Sequence, residues 1–196
     1  MSAVEIIGIG ASISLLAGWR LYLCIFAVGL SMRLGWIAMP EHLQSLDALA
    51  NFWVIAIAGI GAIFEFFADK ISWLDSAWDM VHTLVRPVGG ALLALAIVDA
   101  GNPVWQIVIL LLGGGATLLT HGAKAGTRAL VNTSPEPVSN IVVSSSEDVV
   151  TGGALIATLA SPVAAGIIAI VLLVSAILIL AMLRRLLGSG SGRSMP

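Results

Sequence analysis

The feature that most constrains the fold is an apolar segment near the end of the chain, Val163–Leu183. It contains no charged residue and is followed directly by Arg184 and Arg185. A helix needs about 20 apolar residues to cross the hydrocarbon core of a bilayer, so this segment is long enough to cross. Because the bilayer interior offers no water to the backbone, a crossing segment must satisfy its own hydrogen bonds, as an α-helix does. The segment therefore predicts a transmembrane helix.

The rest of the chain has the composition of a membrane protein as well. Of its 196 residues, 59% are hydrophobic and only 10% are charged, and the mean hydropathy is +1.05. A soluble domain carries about 25% charged residues, so this chain has too few to cover a water-facing surface. Disorder is excluded because disordered chains are poor in hydrophobic residues and rich in charge. We therefore expect an all-α, polytopic helical membrane protein.

Hydrophobic segments follow one another along the chain, and two of them are short. The six segments are Val4–Trp36, Phe52–Phe67, Val88–Val98, Pro103–Leu119, Gly152–Ala160 and Val163–Leu183. The first is too long for one simple span and is interrupted at Gly18-Trp19-Arg20. The third and fifth are shorter than a span, so we expect them to be broken or re-entrant. Together the segments predict a single transmembrane domain over residues 1–187, followed by a flexible Gly/Ser tail over residues 188–196.

The basic residues predict how the segments are oriented. If all six cross and the C-terminus is cytoplasmic, seven of the nine basic residues lie on the cytoplasmic side, in line with the positive-inside rule. This arrangement predicts a multi-pass protein with both termini in the cytoplasm. The lipid bilayer is then its first partner, and the small size of the chain predicts a homo-oligomer.

The chain also carries an internal two-segment repeat, over about residues 51–101 and 104–162. Gly59–Ala62 matches Gly113–Ala116, and Gly89–Leu92 matches Gly152–Leu155. Paired glycine-interrupted segments at matching positions point to a central binding site in transporters. The two units are parallel if the short segments cross and inverted if they re-enter. The alternative is that the glycines only let helices pack closely.

Charged residues near membrane depth cost about 2.5–3.5 kcal/mol each on insertion scales, so they mark candidate sites. Arg20 has apolar neighbours on both sides, and we interpret it as a buried cation that faces a cavity or an acidic partner. The alternative for Arg20 is snorkelling to the interface. The polar connector after the second segment carries a row of further candidates: Glu65, Asp69, Lys70, Asp75, Asp79, His82 and Arg86.

The acidic residues of this connector allow two interpretations. They could hold a divalent cation or relay protons. Their spacing matches no specific metal motif, so a metal ligand set is unknown. Trp73 and Trp78 favour instead an amphipathic helix at the interface, with its acids in water.

The connector after the fourth segment is cationic. At helical spacing, His121, Lys124 and Arg128 share one face. We expect this face to pair with the acidic connector, because a buried charge without a partner is expensive. A patch for a phosphate or an anionic lipid headgroup is the alternative. Further along, Ser144–Asp148 is typical of a helix N-terminus, and we predict that the fifth segment begins there. The alternative is that its carboxylates enter a cavity.

Other classes of function lack support in the sequence. There is no dinucleotide-binding or phosphate-binding loop, no nucleophile motif and no Cys/His pair. We therefore expect neither an enzyme nor a bound cofactor. The formal net charge of -2 is too small to indicate nucleic acid as a partner.

Several stretches of the chain carry a specific resemblance: Glu65–Lys70, Trp73–Asp79, Arg86-Pro87, His121–Arg128 and Asn132–Pro137. In these stretches the chain resembles the bacterial domain-of-unknown-function 4126 family, and the resemblance extends over nearly the whole sequence. It implies a bacterial inner-membrane protein. It implies no activity.

Two functions fit these observations. The first is a small transporter or channel-like protein that binds an ion or a small charged solute between the repeats. Protonation of Glu65 or Asp69 would then couple solute movement to proton entry. The second is a non-transporting membrane module that binds lipid headgroups or scaffolds partner proteins. The site residues expected for the first are Arg20, Glu65, Asp69, Lys70, Asp75, Asp79, Arg86, Lys124 and Arg128.

Overall fold

A computed structural model describes residues 2–36, 47–98, 101–133 and 137–190. These residues form eight α-helices and no strand, which confirms the all-α class. The helices are α1 Ala3–Ala17, α2 Leu21–Arg33, α3 Asp47–Ala50, α4 Phe52–Ala68, α5 Ser72–Ile97, α6 Pro103–Val131, α7 Pro137–Ala160 and α8 Pro162–Gly190. Four of them, α5 to α8, are long and apolar enough to cross a membrane. The chain is therefore a polytopic helical membrane protein.

Burial in this bundle is the reverse of burial in a soluble protein. Large apolar side chains such as Ile60, Leu111 and Ile170 are more than half exposed, whereas Glu65 and Arg86 are fully buried. A soluble fold would bury the apolar side chains and expose the charged ones. A bilayer solvates apolar side chains and excludes charges, so this distribution is expected for helices surrounded by lipid.

The first hydrophobic segment forms two helices. A capping box starts α1: the Ser2 hydroxyl accepts from the Glu5 N–H, and the Glu5 carboxylate accepts from the Ser2 N–H. α1 ends at Ala17, and Arg20 adopts a non-helical backbone conformation with φ -143° and ψ 78°. The interruption predicted at residues 18–20 is confirmed, and it separates helices of 15 and 13 residues.

The two segments predicted to be short belong to long helices. Val88–Val98 covers the end of α5, a helix of 26 residues, and Gly152–Ala160 ends α7, a helix of 24 residues. The structure differs here from the prediction of broken or re-entrant segments. The reason is that the polar connectors before them are helical too, and bury their charged side chains against neighbouring helices.

The predicted start of the fifth segment is wrong for the same reason. α7 begins at Pro137, and Ser144–Asp148 lie inside the helix. A proline in the first helical position is favourable because its missing N–H has no partner there in any case.

α5 and α6 pack as an antiparallel pair. The Ser72 carbonyl, at the start of α5, accepts a hydrogen bond from Asn132, directly after the end of α6. Halfway along the pair, a methyl group added to Gly90 would overlap Thr117, and one added to Gly113 would overlap α5. Glycine at these two places is what lets the two helices approach closely.

α1 runs beside α8 in the same direction. Gly8 lies against Gly166, near the start of α8, while Leu183, near its end, lies against Gly126 of α6. The last turn of α1 reaches α6 at Thr120, whose hydroxyl donates to a carbonyl of that turn. The start of α1 therefore lies beside the start of α8 and far from the end of α8.

The single domain over residues 1–187 and the repeat units over 51–101 and 104–162 stay predictions. At matched positions, Asp69-Lys70 lie in the turn between α4 and α5, whereas Ala123-Lys124 lie within α6. Of the predicted tail, residues 188–190 continue α8 and residues 191–196 lie outside the described residues.

Candidate functional site

Charged side chains from several helices converge in one buried region, which we call the buried charge cluster. Among the described residues it contains five cations and six carboxyl groups: Arg20, Lys70, Arg86, Lys124, Arg128, Glu65, Asp69, Asp75, Asp79, Glu147 and Asp148. All nine residues predicted for the site lie in this cluster. Two residues of α7, Glu147 and Asp148, join them.

The two interruptions of the chain meet in this cluster through an ion pair. Arg20 is the N-cap of α2, Asp69 is the C-cap of α4, and Arg20 Nη1 lies 2.9 Å from Asp69 Oδ2. Lys124 Nζ, from α6, lies 2.6 Å from the same oxygen. Arg20 also donates to the Glu65 carbonyl at 3.1 Å, in the last turn of α4. The Glu65 carbonyl also accepts from the Asp69 N–H at 3.2 Å, so Arg20 adds a second hydrogen bond at the end of α4.

Asp69 lies outside the helices, in the turn that follows α4. Its burial disfavours the charged form, but the cations of Lys124 and Arg20 outweigh this effect and hold the pKa of the carboxyl below its usual value. Asp69 is therefore a carboxylate at neutral pH, and it places a fixed negative charge at the point where the two interruptions meet.

Arg86 forms the second group of contacts, in the middle of α5. Its Nη2 lies 2.9 Å from Glu65 Oε1, and its Nη1 lies 2.9 Å from Asp79 Oδ1. Nη1 also donates to His121 Nδ1 at 2.7 Å and to the Gly18 carbonyl at 3.3 Å. A guanidinium is always charged in a protein, so the two carboxylates compensate its charge. One arginine thereby joins the end of α1 to α4, α5 and α6.

Arg128 forms the third group and joins α6 to the starts of α5 and α7. Arg128 Nε and Nη2 bind the Asp75 carboxylate at 3.2 and 3.1 Å, in the two-point geometry that a guanidinium offers. Nη1 donates to the Asn140 carbonyl at 3.2 Å, and Nη2 also donates to the Asp69 carbonyl. Asn132 donates to Asp75 Oδ2 at 2.7 Å.

α7 contributes the two carboxyl groups that were missed. Asp148 pairs with Arg20 and, at 2.8 Å, with Lys70. Glu147 Oε2 lies 4.0 Å from Lys124 Nζ. The signal in the sequence is Pro137, a residue favoured at a helix start, seven residues before Ser144. In the structure Ser144 and Asp148 lie one helical turn apart, and both bind Lys70.

Hydrogen bonding gives His121, one of the two histidines in this region, a neutral form. His121 Nδ1 accepts from a guanidinium N–H, which leaves its Nε2–H to donate to Thr83 Oγ1 at 3.0 Å. His82 Nδ1 lies 2.8 Å from the Trp78 carbonyl and so carries a hydrogen, and its Nε2 lies 3.2 Å from the Tyr22 hydroxyl, which can donate or accept. The tautomers follow from the partners, since a carbonyl only accepts and a guanidinium only donates.

Several buried polar atoms of the region have no hydrogen-bond partner among the described residues. They include Glu65 Oε2, Asp69 Oδ1 and Asn140 Oδ1 as acceptors, and Arg20 Nε as a donor. A buried acceptor that stays unsatisfied costs about 1–3 kcal/mol. Water or a small solute with both donors and acceptors would satisfy these atoms. These atoms are the ones that an occupant of the cluster would have to satisfy.

The carboxylates of the cluster face arginine and lysine side chains. Within the described ranges, no three His, Cys, Asp or Glu side chains are grouped so that they could hold a metal ion. A separate cavity of about 920 Å³ lies between α1, α5, α6 and α8. It is lined by side chains such as Ala94, Trp105, Leu112 and Leu119, and none of the described residues that line it belongs to the cluster.

The pairing expected between the two connectors is confirmed. Asp69 binds Lys124, and Asp75 binds Arg128. The interpretation of Arg20 as a buried cation with an acidic partner is also confirmed, since it is 2% exposed. The interpretation with acids in water is wrong, because the four acids of the connector are at most 5% exposed. The packing of α5 on α6 turns their charged faces towards each other and away from water.

A family model described as "Domain of unknown function (DUF4126)" matches residues 7–182. The chain belongs to the DUF4126 family. The matched segment includes the whole buried charge cluster, so the cluster lies within the part of the chain that the family shares. No curated protein and no solved structure matches the chain.

Proposed function

We propose that this DUF4126 protein is a small membrane transporter or channel-like protein whose buried charge cluster binds an ion or a small charged solute. The observation that carries the proposal is a buried ion pair that joins the break between α1 and α2 to the turn between α4 and α5. Arg20 lies at the α1–α2 interruption, Asp69 lies at the α4–α5 interruption, and Lys124 binds the same carboxylate. Many transporters build their substrate and ion sites at interrupted helices, and α1 and α2, of 15 and 13 residues, are each shorter than a span.

Stability alone is a weak reason for such a cluster. Replacing a buried ion pair by well-packed apolar side chains is often neutral or stabilising, because desolvation offsets the attraction. A helical membrane protein therefore gains little from a cluster of eight buried and three half-buried ionisable side chains. Ionisable residues inside membrane proteins instead mark ion pathways, proton relays and substrate sites.

The alternative, a membrane module that binds lipid headgroups, needs cations that reach the headgroups. Arg86, Lys124 and Arg128 are each at most 4% exposed, and each already binds a carboxylate. Their burial favours transport over headgroup binding. A scaffold for partner proteins would use the exposed apolar faces and would have no need of the cluster.

The geometry suggests how a solute would enter. A solute anion would replace a carboxylate on Arg20, and a solute cation would replace Arg20 on Asp69. α7 is the candidate moving element, because its two carboxyl groups reach the cluster as separate contacts on Arg20, Lys70 and Lys124. Moving α7 away would break the ion pairs of Asp148, which would leave Lys70 open to a solute and Arg20 paired with Asp69 alone.

We place the protein in a bacterial inner membrane, with the Arg184-Arg185 end in the cytoplasm according to the positive-inside rule. If α8 crosses the membrane, the two termini lie on opposite sides, because α1 starts beside the start of α8 and the two arginines lie near its end. The expectation of two cytoplasmic termini does not fit this arrangement. The division of the first hydrophobic segment into α1 and α2 adds one helix to the six segments expected and accounts for this difference. The proposal includes a homo-oligomer in the bilayer.

A thermal-unfolding screen of the detergent-purified protein tests the proposal. The probes are sodium chloride, potassium phosphate, magnesium chloride, glycine and the headgroup phosphocholine. A solute at about 100 times its Kd adds about 2.7 kcal/mol to the free energy of unfolding. We expect one of the small solutes to raise the unfolding midpoint of the wild type and of Arg184→Gln, an exposed arginine outside the cluster, but not that of Arg20→Gln.

Two results of this screen would contradict the proposal. One is a rise in midpoint that persists unchanged in an Arg20→Gln protein that still unfolds cooperatively. The other is a rise with phosphocholine alone, which would favour the headgroup-binding module.

A further inference from the structure

The buried charge cluster holds one carboxyl group more than it holds cations. Among the described residues, five cations face six carboxyl groups; hydrogen bonding gives His121 a neutral form, and His82 forms no ion pair with any of the six. An uncompensated charge away from water is expensive, and a protein avoids it by changing the protonation state of the group. A proton on one of the six carboxyl groups would balance the cluster.

The ion pairs identify the carboxyl group that has no cation of its own. Five of the six have a cation within 3.1 Å: Glu65, Asp69, Asp75, Asp79 and Asp148. The nearest cation to Glu147 is Lys124, at 4.0 Å, and Lys124 lies 2.6 Å from Asp69. Glu147 Oε2 is buried and has no hydrogen-bond partner among the described residues.

We infer that Glu147 holds a proton at neutral pH and is the carboxyl group through which the cluster exchanges protons with water. The inference rests on the proposed function, because it names the proton as the coupling ion of the same site. It replaces Glu65 and Asp69, the proton carriers expected from the sequence. The side chain of Glu147 is 14% exposed, whereas those of Lys124 and Asp69 are 1% and 0% exposed, so Glu147 is the member of this trio that is open to the outside of the bundle.

Charges of both signs act on Glu147 from the elements around it. Lys124 and Arg128 face it from α6, Arg20 from the α1–α2 interruption and Asp69 from the α4–α5 turn. Asp148, next to it on α7, is already held by Arg20 and Lys70. α8 brings no charged residue between its start and Leu183.

Loss of the proton would change the partner of Lys124. When Glu147 gives its proton to water it becomes a carboxylate, and Lys124, which keeps its own three protons, then faces two carboxylates. One of them, Asp69, belongs to the α4–α5 turn, and the other belongs to α7. Movement of the ammonium towards Glu147 weakens its contact with Asp69, so the proton on α7 controls the ion pair at the helix interruption. This is a two-state element of the kind that a coupling ion can bias.

Infrared spectroscopy of the purified full-length protein tests the inference, because the carbonyl band of a protonated carboxyl is separate from the bands of a carboxylate. At neutral pH we expect one such band in the wild type, shifted in deuterated water. Glu147→Gln, a change of nearly equal size, should remove it. Glu5→Gln, outside the cluster, should retain it. Lys124→Gln removes a cation and should produce a second protonated carboxyl.

The inference is overturned if the wild type shows no protonated carboxyl, or if the band survives in Glu147→Gln. It is also overturned if the band appears only when sodium is removed, since the cluster would then hold sodium. A different result would contradict the proposed function. A band that follows these variants in a protein that moves no solute would uphold the proton on Glu147 and contradict transport.

Discussion

At the residue scale, charge in this protein is balanced by contact and not by water. Arg86 is the clearest case: it is fully buried and binds Glu65 on α4 and Asp79 on its own helix. Each of these groups would be expensive alone in the interior, and together they are tolerated. The members of these pairs therefore depend on one another, because the loss of one leaves the others as uncompensated buried charges.

Arg86→Gln should for this reason strongly destabilise the protein. The change leaves Glu65 and Asp79 without their cation, and removal of one member of a buried pair costs about 3–5 kcal/mol. A denaturant titration in detergent measures the free energy of unfolding. Arg184→Gln, at an exposed arginine, should change it by less than about 0.5 kcal/mol.

The triple variant Glu65→Gln/Asp79→Asn/Arg86→Gln carries no charge at these positions, and we expect it to recover most of the lost stability. Equal stability of Arg86→Gln and Arg184→Gln would show that the contacts of Arg86 contribute little to folding.

At the scale of helices, the sequence predicted which connectors would pair but not how long their helices are. Asp75 and Arg128 could be matched because opposite charges recur at helical spacing on the two connectors. Helix length was missed because hydropathy identifies the residues that contact lipid. A helical stretch that buries a charged face has low hydropathy, so it was taken for a polar connector. Glu147 and Asp148 were missed because Ser, Glu and Asp are typical of helix starts. Only the position of Pro137 shows that these residues are internal.

The glycines of α6 permit a matched test of helix packing. A methyl group at Gly113 would overlap α5, whereas one at Gly115 would meet nothing within 4 Å. We expect Gly113→Ala to destabilise the protein by about 1–3 kcal/mol, the usual cost of overpacking. Gly115→Ala should be neutral or stabilise it by up to about 1 kcal/mol, because alanine is the better helix former.

Thermal unfolding of the two single variants, side by side, measures this difference. Equal effects would mean that α5 and α6 are not in close contact at Gly113.

At the scale of the whole molecule, the protein has an apolar exterior and a charged interior. The charges come from the break between α1 and α2, from the turn between α4 and α5 and from the facing sides of α5 and α6, and α7 adds two further carboxyl groups. An apolar exterior is required by the bilayer, but the interior charges are not, since apolar packing would serve a passive bundle as well. Binding and moving a charged solute would be a reason for the protein to have these interior charges.

Proton movement into lipid vesicles tests this reason most directly. Vesicles with the purified protein and an internal pH-sensitive dye are given a pH gradient in sodium chloride, potassium phosphate or glycine. We expect the gradient to decay faster with the wild type than in protein-free vesicles in at least one of these solutions. Asp69→Asn, which removes the carboxylate shared by Arg20 and Lys124, should abolish the difference. Decay equal to that of protein-free vesicles in all three, or unchanged in Asp69→Asn, would contradict a transport site in the buried charge cluster.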